Sequence, residues 1–210
     1  MKLNCDLGEG MGCEAAVMPF IDQANIACGI HAGNIELMRN TVTLAKEYRV
    51  SIGAHPGYPD RKNFGRVSLE STPEQITDWV AEQVATLASL CPVDYVKLHG
   101  ALYQDMMASD EILAAIRGAI GDRPLMVQAQ SGMMNVDSGL LTEAFADRRY
   151  TDEGCLLPRS ETGSVLTSEQ IEAQVYLLIN DGEVQTDSGG RIKIKADSLC
   201  VHGDNPEGVR

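Results

Sequence analysis

Each of the chain's four histidines closes a short apolar, β-favouring run, and each is followed within two residues by glycine. His31 ends Asn25-Ile26-Ala27-Cys28-Gly29-Ile30-His31, and His55 ends Val50-Ser51-Ile52-Gly53-Ala54-His55. His99 ends Tyr95-Val96-Lys97-Leu98-His99, and His202 ends Leu199-Cys200-Val201-His202. An apolar run of this length is the pattern of a buried parallel strand, and glycine beyond it permits a tight exit turn. When such strands lie side by side in a barrel or open α/β sheet, their carboxyl ends form the face that carries chemistry. Four imidazoles at equivalent strand exits therefore point to an enzyme with a histidine-rich floor.

The remainder of the chain alternates in the same sense. Strands are expected near 2–6, 24–31, 50–55, 94–99, 125–129, 142–146 and 198–202. Helices are expected near 35–48, 73–90, 109–119 and 168–180. Asn34, Thr72 (with Pro73 behind it) and Thr167 stand where helix caps belong. Asp187-Ser188-Gly189-Gly190-Arg191 reads as a turn between short hairpin-like pieces. Repeated strand–helix alternation implies parallel strands joined by right-handed crossovers. Seven strands in 210 residues predict one domain, 1–210, with an α/β fold: a seven-stranded parallel β/α barrel, one strand short of the usual eight. The polar stretch 55–66, rich in turn formers, is too long for a mere connector and reads as a lid. After His202 no helix is expected, which leaves the last strand uncovered on one side.

A net charge of −13 argues against a nucleic-acid surface, and no run of Lys and Arg exceeds two residues. No apolar stretch approaches a membrane span, and Asp6 and Glu9 interrupt any signal-peptide core at once, so a cytoplasmic location with no membrane partner is expected. The six cysteines include no C-x-x-C pair and are read as reduced, with Cys5, Cys28 and Cys200 packed as small hydrophobes.

Several ionisable groups accompany the histidines. Asp6 and Glu9 lie at the first strand's exit, where they offer a general base or two ligands for a hard cation; turn capping is the plain alternative for Glu9. Asp204 follows His202 by two residues, where an Asx-turn is the plain alternative. No H-x-H or H-E-x-x-H spacing is present, and Lys97 on the same face opposes a metal's charge, so no tightly bound metal is expected. Neither a nucleophile elbow nor a Walker A loop occurs. What the chain offers is carboxylate, imidazole, lysine and arginine together, a set suited to hydrolysis or phosphoryl chemistry on a small carboxylic acid. Lys97 and His99 share parity and hence a face. An ammonium on the inward face of a barrel needs a carboxylate or bound anion beside it, and Asp6 and Glu9 are the candidates.

The blocks Asn4-Cys5-Asp6-Leu7-Gly8-Glu9, Asn25 to Gly33, Gly53 to Asp60, Val96 to Tyr103, Phe145 to Tyr150, Leu157-Pro158-Arg159 and Cys200 to Asp204 resemble the LamB/YcsF family, in family order across essentially the whole chain. The chain departs from that pattern at Ile30, Asn34 and Leu98, where the family commonly has Phe, Asp and Pro. The resemblance implies a seven-stranded barrel like that of glycoside hydrolases and polysaccharide deacetylases, and a further C-terminal helix that this chain lacks. It also implies ATP-dependent opening of 5-oxo-L-proline to L-glutamate, with Mg as the nucleotide's counter-ion and separate B and C subunits as partners; a homo-oligomer is left open. Within that reading Asp6, His31, Lys97 and His99 are the expected catalytic groups. Asp6 with His31 or His99 moves protons, and Lys97 stabilises negative charge on the lactam oxygen or its phosphate. Glu9, His55, Arg148, Arg159, His202 and Asp204 are the expected substrate contacts, with Arg148 or Arg159 on the substrate carboxylate. Two alternatives remain: a substrate-binding subunit without catalysis, and a metal-dependent deacetylase or amidohydrolase.

Overall fold

The computed structural model describes residues 1–130 and 139–209. In chain order its elements are β1 (Lys2–Leu7), α1 (Glu14–Val17), β2 (Gln23–Ala27), α2 (Ile35–Tyr48), β3 (Ser51–His55), α3 (Pro73–Ala88), β4 (Tyr95–Lys97), α4 (Gly100–Ala108) and α5 (Asp110–Ile120). They continue as β5 (Leu125–Gln128), β6 (Leu140–Phe145), α6 (Ser168–Asp181), β7 (Glu183–Gln185), β8 (Arg191–Lys193), β9 (Ser198–His202) and a single turn, α7 (Pro206–Val209). Among the described residues seven parallel strands close a barrel in the order β1-β2-β3-β4-β5-β6-β9, and β7 and β8 pair antiparallel outside it. No described helix is long and apolar enough to cross a membrane.

The helices begin where the sequence places their caps. Asn34 accepts a hydrogen bond from the Leu37 amide at 2.9 Å, and reciprocal capping boxes join Thr72 with Gln75 and Thr167 with Gln170. Arg49, in the left-handed conformation at φ 59°, ends α2. Each helix turns an apolar stripe to the barrel: Met38, Val42 and Ala45 from α2, and Ile76, Val80, Val84 and Leu87 from α3. Burying one such side chain contributes about 1.5–3 kcal/mol.

Strand parity divides the barrel in two. Cys5, Leu7, Ala24, Ile26, Ile52, Ala54 and Val96 are buried members of the apolar core. The alternate positions Asn4, Asp6, Asn25, Lys97, Glu143 and Ser198 are equally buried and bond to one another. Gly53 makes room for this layer, because a Cβ there would overlap the Tyr95 ring. The barrel is thus apolar against its helices and polar at its centre.

The structure corrects several boundaries. β2 stops at Ala27, so His31 sits four residues beyond it, in the loop before α2. A helix absent from the sequence reading, α4, starts directly after His99. The 55–66 segment is a fixed wall and not a loose lid: Arg61 Nη2 donates to the Gly33 carbonyl at 2.7 Å, and the Phe64 carbonyl lies 2.8 Å from His99 Nε2.

Gly33 holds the loop that carries His31 against β1. Its φ is +67°, and a Cβ there would overlap the Gly8 carbonyl oxygen. Gly33→Ala combines a left-handed penalty with backbone overlap, and should cost about 3 kcal/mol in urea unfolding.

Candidate active site

The carboxyl ends of the strands bring the four histidines to one end of the barrel, around a cavity of about 490 Å³. That volume lies within the roughly 300–1,000 Å³ usual for small-molecule sites. Asp6, His55, Lys97, His99 and His202 form its floor, and Arg66, Arg148 and Arg159 stand on its walls. A larger hollow at the opposite end, about 860 Å³, is lined by Leu3, Val175, Leu178 and Leu199 and by no histidine.

Lys97 is the buried centre of the floor. Its Nζ lies 2.9 Å from Asp6 Oδ1, 3.0 Å from Glu143 Oε2, 3.0 Å from Cys200 Sγ and 3.3 Å from Asn4 Oδ1. Burial alone would favour the neutral amine, but the charges of Asp6 and Glu143 reverse this and hold Lys97 well above the usual lysine range. Asp6 feels the opposite pull. Burial raises it, while His55 and Lys97 draw it well below the usual carboxylate range. Asn25 Nδ2 also donates to Asp6, at 2.7 Å, and Tyr103 donates its hydroxyl to Glu143 at 2.9 Å. The second expected partner of Lys97, Glu9, plays no part here; Glu143 takes that place.

Glu9 faces the histidines instead. Its Oε1 is 3.2 Å from His99 Nδ1, 3.7 Å from His31 Nε2 and 3.8 Å from His55 Nε2. His31 stacks on His99, centroids 3.9 Å apart, and is wholly enclosed without lining the cavity. Burial pushes its pKa down to about 3, so it is neutral. Burial likewise lowers His99, whereas in His55 the attraction of Asp6 outweighs burial and raises the pKa.

His202 stands apart from these three. Its Nδ1 meets Asp147 Oδ1 at 2.8 Å, its ring stacks on Phe145, and its Nε2 lies 4.0 Å from Asp6 Oδ2. Asp147 also accepts from Asn205 and from the His202 amide. Burial alone would raise Asp147, but His202 and these donors lower it to about 2. A carboxylate on Nδ1 directs the other lone pair of a neutral His202 toward the floor.

The arginines divide unequally. Arg148 is buried and donates to the Ser164 carbonyl at 3.2 Å and the Leu157 carbonyl at 2.6 Å. Burial and the neighbouring Arg159 charge lower it to about 10. It braces the 148–166 segment, so the expectation that it clamps a substrate carboxylate falls to Arg159. Arg159 Nη1 lies 3.8 Å from Asp204, which also pairs with Arg66. Asp204 therefore orients two cations at the mouth.

Sequence reasoning missed Asn4, Asn25, Arg66, Glu143 and Asp147. A signal existed for Glu143, a charge inside the apolar run Leu140–Phe145 at the parity of Phe145. The others gain their meaning only from neighbours on different strands.

Comparison with known proteins agrees with this architecture. The model of the LamB/YcsF family matches residues 1–210. A Vibrio campbellii protein, named as the A subunit of 5-oxoprolinase, is 46% identical, the match covering 100% of this chain and 91% of that one. A Pseudomonas putida protein, named as the second of that organism's 5-oxoprolinase A subunits, is 43% identical over 100% of this chain and 90% of its own. The crystal structure of a lactam utilization protein from Thermus thermophilus superposes with a TM-score of 0.83 at 31% identity, covering 100% of this chain and 93% of that one.

The Asp147–His202 pair gives a direct test of the geometry. Asp147→Asn removes a charge-assisted hydrogen bond and should cost about 1.5–3 kcal/mol in urea unfolding. In ¹⁵N NMR the neutral His202 ring should shift from the Nδ1–H tautomer toward Nε2–H.

Proposed function

The chain belongs to the LamB/YcsF family, and from that premise we propose that it is the A subunit of an ATP-dependent 5-oxoprolinase, opening 5-oxo-L-proline to L-glutamate together with B and C subunits. The observation that carries this reading is a cavity with a buried ammonium–carboxylate floor and a cationic mouth, in a chain of net charge −13. A local surplus of cations on an acidic protein favours a small anion over other ligands. 5-Oxoproline is such an anion, with a carboxylate at one end and a lactam oxygen at the other.

A lactam is a poor electrophile, and ATP would supply a phosphoryl group to its oxygen. The chain's own groups then have separable tasks. Arg159, steadied by Asp204 and paired there with Arg66, takes the substrate carboxylate at the mouth. Lys97 sits deepest and stabilises negative charge developing on the lactam oxygen or its phosphate. Proton transfer falls to Asp6 and His202, which both reach the cavity, rather than to His31, which is sealed beneath His99. His55 and His99 line the floor and position Asp6.

Reconstitution tests the whole reading. The chain should turn over 5-oxoproline only with its B and C partners and ATP. ATP-independent turnover of an amide or acetyl substrate would instead favour the amidohydrolase alternative, and tight 5-oxoproline binding without any need for the chain's ionisable groups would favour a purely binding role.

Two variants examine the roles. Lys97→Met should abolish turnover while circular dichroism and partner assembly stay normal; near-normal activity would remove Lys97 from the mechanism. Arg159→Ala, altering a partly exposed side chain, should raise KM roughly tenfold or more with a smaller effect on kcat, as expected for a lost charge-assisted contact of about 1.5–3 kcal/mol.

A further inference from the structure

We propose that Glu9, His31, His55 and His99 form a binding site for one divalent transition-metal ion of the zinc class. One atom from each residue can be chosen so that all four lie within 4.8 Å of one another, and all four residues are buried. Linear spacing hides this set, because its members come from the ends of four different strands.

The hydrogen bonds around the rings fix where the lone pairs point. His55 Nδ1 lies 2.8 Å from the Lys97 carbonyl, and His99 Nε2 lies 2.8 Å from the Phe64 carbonyl. A carbonyl oxygen only accepts, so each of these nitrogens carries the proton. The remaining nitrogens, His55 Nε2 and His99 Nδ1, then present lone pairs to each other across 3.0 Å, with the Glu9 carboxylate 3.8 and 3.2 Å away. Two lone pairs and a carboxylate facing one another repel unless a cation lies between them. Ring N–H donation to a backbone carbonyl is also how metal-ligating histidines are commonly held.

Two further observations favour a metal over a shared proton. Both ring nitrogens of His31 and Glu9 Oε1 are buried without a hydrogen-bond partner, and one proton between His55 and His99 leaves them so. The separations also suit an ion. Zinc–ligand bonds of about 2.0–2.1 Å in a tetrahedron place neighbouring ligand atoms roughly 3.3 Å apart. The four separations among these atoms given above run from 3.0 to 3.8 Å. Three imidazoles with one carboxylate are donors that suit zinc and its neighbours better than magnesium or calcium. Among the described residues, the ion-pair contacts of Glu9 are these three imidazoles alone. The metal site is independent of the proposed reaction, and its test needs no turnover.

Chelator-stripped protein would be titrated with Zn²⁺ by calorimetry against a competing chelator, and with Co²⁺ in the visible range. The expected result is one ion per chain, d–d bands of a nitrogen- and oxygen-ligated Co²⁺, and a raised Tm with Zn²⁺. Glu9→Gln and His31→Gln, each verified as folded by circular dichroism, should weaken binding at least tenfold. Cys200→Ser, which disrupts the separate grouping of Asp6, Cys200 and His202, should leave it unchanged. Absence of both heat and d–d bands would overturn the proposal and leave a shared proton between His55 and His99. Equal affinity in wild type and both ligand variants would overturn it too, as would a loss confined to Cys200→Ser.

Discussion

Everything at the carboxyl end of this barrel is organised around one buried ammonium. Lys97 lies 2.9 Å from Asp6 and 3.0 Å from Glu143, and all three are withdrawn from water. A charge so placed survives only when paired and hydrogen-bonded, and removing one partner of such a set typically costs about 3–5 kcal/mol. That demand explains why the inward face is polar. Asn4, Asn25 and Ser198 satisfy the remaining donors and acceptors, and Tyr95 and Tyr103 close the layer from the side. The apolar face, packed on the helices, supplies the cohesion that this layer does not.

Above the ammonium the histidines are aimed by their surroundings. Backbone carbonyls take one proton each from His55 and His99, and Asp147 takes the corresponding role at His202. The barrel thereby fixes tautomers as well as positions, and tautomers decide what an imidazole can do. Two neighbouring environments result: His202 beside a carboxylate at the cavity edge, and His31, His55 and His99 crowded around Glu9 beneath the 55–66 wall. The first suits proton movement, the second a cation.

At the mouth the logic is that of charge contrast. Asp204 holds Arg66 and Arg159 over the cavity, while the rest of the chain is acidic. Such a field concentrates small anions and turns nucleic acid away without any base-reading surface. The family's relatives share the whole length of this barrel, so the contrast belongs to the same scaffold.

The sequence by itself determined the barrel, its strand count and the end at which chemistry gathers. Those follow from local rules: apolar runs closed by histidine and glycine, caps at Asn34, Thr72 and Thr167, and the alternation of strand with helix. It also exposed Asp6 and Lys97, because a charge in an apolar run must face something. Tertiary structure alone decided the partners. Glu143 replaced Glu9 beside Lys97, Arg148 turned inward to brace a loop, and His31 slid beneath His99, since β2 ends four residues before it. The physical reason is that strand parity specifies a face, whereas pairing depends on stagger between strands and on loop paths. Both are set by contacts between residues far apart in the chain, and no local pattern encodes them.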